Sequence, residues 1–203
     1  MNRRLLLKSG GFTAVGLMLS LPAAAKDDGK VGKLDADIFK KANEEAAAKV
    51  KALVPAGGVL SDNDKALVDE IATGGLMQLQ ASEYALQKAK SGDVKLLAEG
   101  EAAEQKGLAA KLQEFAVKKE IKLPTELDDR GRKLMADLKA AGDEFDLVYL
   151  QESGVHGHEE LKKTMTKVRN KATDMMLKSL AETALPLIEM HLTVSKDEVA
   201  SLG

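Results

Sequence analysis

The sequence contains no cysteine and no tryptophan. The first absence excludes disulfides, thiolate metal sites and cysteine nucleophiles. Aromatic residues make up only 3% of the chain, so a core has to be assembled from Leu, Val, Ile, Met and Ala. Strands lean on aromatic and β-branched side chains, and their scarcity favours helices. No segment alternates apolar and polar residues between turn signals. No apolar run reaches the ~20 residues that a membrane-spanning helix needs. Basic clusters are lacking too, which argues against nucleic acid and anionic lipid headgroups as partners.

What is present fits a soluble globular protein: 44% hydrophobic and 31% charged residues in a chain of 203. That length suits one domain with an appendage. Residues 1–25 read as an export signal rather than part of the fold. Arg3, Arg4 and Lys8 form a positive start, Gly11 to Leu21 is apolar, and Ala23 to Ala25 supply small residues for cleavage after Ala25. The run from Asn2 to Lys8 is similar to a twin-arginine signal, with Leu where such signals often carry Phe. A cleaved chain is then expected in the periplasm. Without the three basic residues of the signal, 27 basic residues face 32 acidic ones, a net charge of −5.

Residues 26–60 read as a leader followed by an appended helix. Its face of Ile38, Ala42, Ala46, Val50 and Leu53 is thin, because alanine fills its centre. Val54 to Leu60, with Pro55 and Gly57-Gly58, is a break. The bundle domain is expected over 61–203. Ser61 with Asp64 reads as a helix start. Leu67, Ile71, Gly75, Gln78, Ser82 and Ala85 mark the inner face of the helix that follows. Ser91-Gly92-Asp93 turns the chain into a second helix, whose inner face carries Val94, Leu97, Glu101, Gln105, Leu108, Leu112 and Phe115. Folding that hairpin sets Gln78 and Gln105 nearly level. A loop around Pro124 and a short helix through Leu134 and Leu138 lead to the second hairpin.

That second hairpin holds the strongest signal. Leu147, Leu150, Gly154, His158, Leu161, Met165 and Val168 recur at steps of three and four, as do Leu177, Leu180, Ala184, Leu187, His191 and Val194. Two of the three histidines thus stand in apolar stripes of facing helices. The third, His156, lies about 200° around the helix from His158. With Glu152 and Glu159 for company, it reads as a surface residue. Pro186 falls inside the last helix and is expected to kink it. The pattern is all-α: a four-helix bundle with an additional N-terminal helix and a polar layer inside.

The order and spacing of Gly74-Gly75-Leu76, Ala85-Leu86, Val94-Lys95, Leu123-Pro124, Phe145-Asp146 with Tyr149, His158, Leu185-Pro186-Leu187 and His191-Leu192 carry a resemblance. Over roughly Asp64 to Val194 the chain resembles a bacterial family of exported proteins, the domain of unknown function 4142, often labelled outer-membrane proteins. The resemblance implies a ferritin-like four-helix bundle. It also exposes departures, because the family tends to carry glutamates where Gln78 and Gln80 stand and an Asp-His pair where Glu104-Gln105 stands.

Two readings of the layer remain open. A ferritin-type di-iron site requires Glu-x-x-His on two helices, but Ser153, Val155 and Ile188 precede the histidines by three. A reduced transition-metal site from His158, His191 and Glu101, completed by Gln105 or Gln78, would suit zinc, iron or copper. Met165, Met175, Met176 and Met190 could offer soft ligands to copper, or simply fill the core. The other reading is a neutral, hydrogen-bonded layer of Gln78, Gln105, His158 and His191 that fixes helix register with no cofactor. Amides suit it, since each donates and accepts. No catalytic triad, phosphate-binding glycine loop or carboxylate pair stands out. The function classes are accordingly a non-catalytic bundle serving the envelope through a partner protein or small ligand, and a metal-binding protein with a degenerate site.

Overall fold

The computed structural model describes residues 29–202. The expected export signal and the first residues of the leader lie outside them. Four long helical rods dominate. The first two are α2 (Asp62–Lys88) and α3 (Gly92–Lys119). The third is continuous but changes pitch, running through α5 (Phe145–Tyr149), a π-helical segment (Leu150–Gly157) and α6 (His158–Lys171). The fourth is α7 (Met175–Leu202), unbroken through Pro186. α2 packs along α3, α6 along α7, and α2 and α6 join the two hairpins. The short α4 (Asp129–Ala140) links them.

Side-chain caps set the starts of these helices. Ser61 accepts from the Asp64 amide, Ser91 from Asp93, and Asp128 from Gly131. Asp64 has a second task. Its buried carboxylate accepts from the Thr173 and Asp174 amides at 2.8 and 3.1 Å and from the Thr173 hydroxyl. One residue near the start of α2 therefore holds the turn between α6 and α7. Burial by itself would raise its pKa, but the bonds from Thr173, Ser61 and Asp174 outweigh burial and lower it. In the same turn Asp174 meets the nearly buried Lys119 at 2.7 Å.

The expected stripes face inward, apart from half-buried Leu147 and Gly75. They form two apolar clusters rather than one. Leu67, Ile71, Leu112, Phe115, Met165 and Leu180 belong to the first; Ala85, Val94, Leu97, Phe145, Leu150 and Val194 to the second. The buried polar residues are concentrated at the levels where one cluster gives way to the other.

The N-terminal helix keeps its expected face at its end, where Val50 joins the first cluster and Leu53 packs against it, but departs from it at its start. In α1 (Ala36–Ala52), capped by Asp35 after a minimal hairpin of Lys30–Val31 and Leu34–Asp35, Ile38 is 58% exposed and Phe39 only 1%. The single large aromatic won over the aliphatic beside it, because its partner surface on α3 offers a glycine. A Cβ at Gly100 would stand 2.7 Å from the Phe39 ring. α1 packs on α3 and α7. Its exit is tied down by Lys111 and Lys118, which donate to the carbonyls of Leu53 and Pro55.

Candidate metal centre in the polar layer

Every residue expected in the layer is buried: Gln78, Glu101, Gln105, His158 and His191. Their partners differ from expectation. Gln78 does not meet Gln105. It forms a two-way pair with Ser153, receiving the hydroxyl at 2.8 Å and donating to the carbonyl at 2.9 Å. The approach depends on the third rod, where a Cβ at Gly157 would lie 2.3 Å from the Gln78 amide nitrogen. The Ser153 carbonyl also lies 3.2 Å from His158 Nδ1. π-Helical turns are rare and gather at functional sites. This one sets Ser153, Gly154 and Gly157 immediately before His158 on the buried side.

Glu101, expected to be a ligand, is engaged elsewhere. Its Oε2 accepts from Tyr149 and, at 3.1 Å, from Ser82, and Tyr149 also reaches Ser82 at 3.1 Å. Burial first, and the Glu101 charge second, push the Tyr149 hydroxyl pKa well above its ordinary value, so it stays a donor. Only Glu101 Oε1 is left over, 3.5 Å from His158 Nδ1. The carboxylate that meets the histidines is Glu104. Ligand atoms of Glu104, His158 and His191 lie within 4.8 Å of one another, all three residues buried. Glu104 stands three residues after Glu101 and four before Leu108, so helical spacing alone could have placed it on the same face.

Each imidazole is held by one nitrogen and has the other to spare. His158 Nδ1 faces two acceptors, the Ser153 carbonyl and Glu101, with the Gln78 amide nitrogen 3.3 Å away. The two acceptors select Nδ1–H, which places the lone pair on Nε2. His191 Nε2 lies 3.1 Å from Asn43 Oδ1 on α1, which selects Nε2–H and places the lone pair on Nδ1. His158 Nε2, His191 Nδ1 and both oxygens of Glu104 have no hydrogen-bond partner among the described residues. His191 Nδ1 and Glu104 Oε2 approach to 2.7 Å, but without the alignment of a hydrogen bond. Burial pushes Glu104 up to about 7, partly opposed by the charge of His158. Burial likewise pushes His191 down to about 4, keeping it neutral, against the pull of Glu101. The His158 and His191 rings meet edge to face with centroids 5.5 Å apart, and Phe39 covers His191 at 5.4 Å.

The remaining candidates lie away from this cluster. Gln105 hydrogen-bonds to nothing among the described residues and lines a pocket between α2 and α3, which corrects its expected pairing with Gln78. His156 is exposed, 3.5 Å from Glu152, while Glu159 pairs instead with Lys196 at 2.8 Å. The methionines scatter: Met165 and Met176 in one apolar cluster, Met190 against the other, Met175 exposed. These thioethers do not converge, so they form no set of soft ligands. Ser82 lies on the inner face expected for it, while the parts of Asn43, Tyr149 and Ser153 were missed by the sequence, since nothing local distinguishes them from other polar residues on helices.

No helix among the described residues is long and apolar enough to cross a membrane. No curated protein and no solved structure matches the chain. One family model does, that of a domain of unknown function (DUF4142), over residues 49–197.

Proposed function

The chain belongs to the DUF4142 family of domains of unknown function, and we propose that its buried layer binds one divalent transition-metal ion through Glu104, His158 and His191. The observation that carries this reading is the set of buried lone pairs left without donors. Burying a polar atom without a partner costs about 1–3 kcal/mol, and the three residues that carry four such atoms bring a ligand atom each within 4.8 Å of one another. The donor set has the right chemistry: two imidazoles and one carboxylate suit zinc or iron(II). Both imidazoles are oriented through their second nitrogen, as metal-binding histidines usually are. A bound ion would also hold Glu104 in its charged form, which burial alone disfavours. The ion would supply a Lewis-acid centre; the chain supplies its ligands and a cover of Phe39 and Asn43 from α1.

The protein is placed in the periplasm by this proposal, on the strength of residues 1–25 read as an export signal. The neutral-layer reading keeps one specific support, the complete Gln78–Ser153 pair. Metal analysis of protein purified gently from periplasm, followed by titration of the chelator-treated protein with cobalt(II), separates the two. One equivalent of metal, and a cobalt spectrum of nitrogen and oxygen ligation that is absent from His191→Ala, is the expected result. Metal-free protein with no cobalt spectrum, and a His191→Ala variant that loses only stability, would leave the neutral layer standing.

A further inference from the structure

The cavity between α2, α3 and the Ile121–Thr125 segment joins apolar walls to a rim of one sign of charge. Its volume is about 430 Å³, in the range of small-molecule sites. Ile71, Leu108 and Leu112 line it from the core and are buried, while Leu76, Leu79 and Leu123 are half-buried. Gln105 borders it too, but both of its amide atoms are sealed from solvent, so a molecule in the cavity does not reach them. The other polar residues of the lining, Gln113, Lys122 and Thr125, are exposed. Lys122 is the one charged residue there, and no carboxylate lines the cavity, in a chain of net negative charge. The lysines just before it are engaged: Lys118 donates to the Pro55 carbonyl, and Lys119 meets Asp174 at 2.7 Å. Lys122 has no hydrogen bond or ion pair among the described residues.

We propose that this cavity binds one free alkyl carboxylic acid of medium chain length, with its hydrocarbon among the leucines and its carboxylate against Lys122. The ammonium, the Gln113 amide and the Thr125 hydroxyl can all donate, and an ionised carboxylate is a head group that only accepts. A cationic amphiphile would face Lys122 with like charge and find no acid in the lining. A neutral alcohol would gain the apolar walls and leave the ammonium to water. A single cation suits a single carboxylate; membrane surfaces are recognised by clusters of several. The site is independent of the metal reading, since it shares no residue with Glu104, His158 and His191.

Calorimetric titration of the chelator-treated full chain with decanoate, decanol and decyltrimethylammonium, each below its micelle concentration, tests the assignment without any metal present. The wild-type protein is expected to bind one decanoate, at least fivefold more tightly than decanol, with the cation weakest. Lys122→Met should bring decanoate down to the level of decanol and leave decanol unchanged; Lys122 is exposed, so the fold does not depend on it. Ala109→Trp, at an exposed position of the same lining, should exclude all three probes while the helical circular dichroism stays unchanged. Equal binding of decanoate and decanol by the wild type, or no saturable binding, would overturn the proposal. So would a Lys122→Met variant that keeps the preference for decanoate, or an Ala109→Trp variant that binds decanoate as well as the wild type does.

Discussion

The buried layer has two sides that use the same kinds of residue to opposite effect. On one side Tyr149, Ser82 and Glu101 close a circuit in which both hydroxyls point at one carboxylate oxygen, and Gln78 and Ser153 close a second. On the other side Glu104, His158 and His191 converge, and four of their polar atoms have no hydrogen-bond partner among the described residues. Glu101 and Glu104 are a single helical turn apart on α3, and both are buried. What separates them is what the opposite helices bring. α2 and the third rod present donors to Glu101, whereas Glu104 is met by the acceptor nitrogen of His191. A paired carboxylate is a structural element; an unpaired one facing imidazoles is a ligand set.

The largest expected effect tests the unpaired side. With zinc at one hundred times its dissociation constant, wild-type stability should rise by about 2.7 kcal/mol, and Glu104→Gln should lose the whole increment. Without metal the same variant should be at least as stable as the wild type, since it removes a buried acid that lacks a donor. Urea unfolding with and without zinc measures both quantities. A Glu104→Gln protein that is strongly destabilised in chelator would put Glu104 among the paired residues and erase the contrast.

Tyr149→Phe probes the paired side. Deleting the hydroxyl takes a donor from Glu101 and a partner from Ser82, which should cost about 1–3 kcal/mol with metal stoichiometry unchanged. Equal loss of metal and stability in this variant would mean that the two sides act as one unit.

Asn43→Ala sharpens the contrast from outside the bundle. Asn43 hydrogen-bonds to the layer through His191 Nε2, so its removal should weaken metal binding roughly 10- to 100-fold, as loss of an orienting partner commonly does. Zinc competition against a fluorescent chelator reads this directly. An unchanged affinity would show that His191 is oriented by packing against Phe39 alone.

The smallest effect is on the pH dependence of the metal-free protein. Glu104 rises from 4.5 to about 7 on folding, so between those values the folded state holds the extra proton and stability falls as pH rises. His191 drops from 6.5 to about 4, so in that interval the unfolded state holds the extra proton and stability rises with pH. Where the two intervals overlap, from pH 4.5 to 6.5, they offset each other and the wild-type curve should be nearly flat. In Glu104→Gln only the histidine contribution remains, and the urea midpoint should climb across that interval. A flat profile in the variant would show that His191 is not held neutral by burial.

The amino-acid sequence by itself determined the helices, their inward stripes and the burial of both histidines. These follow from local rules: apolar spacing at three and four, serine and aspartate caps, and a chain too poor in aromatic residues for a sheet. It also placed Gln78, Glu101 and Gln105 inside, because each interrupts an apolar line. Only the tertiary structure decided which buried group faces which. A shift of one residue along a helix turns a side chain by about 100°, so Glu101 and Glu104 cannot be ranked as ligands until the facing helix is in place. The π-helical turn before His158 reset that register, and Gly157 let Gln78 turn to Ser153 and away from Gln105. The start of α1 was misjudged for the same reason, while Val50 and Leu53 at its end face the core as expected. Its own face looks thin, and the pocket that receives Phe39 belongs to Gly100 on α3 and His191 on α7, residues far away in the chain and adjacent only once it has folded.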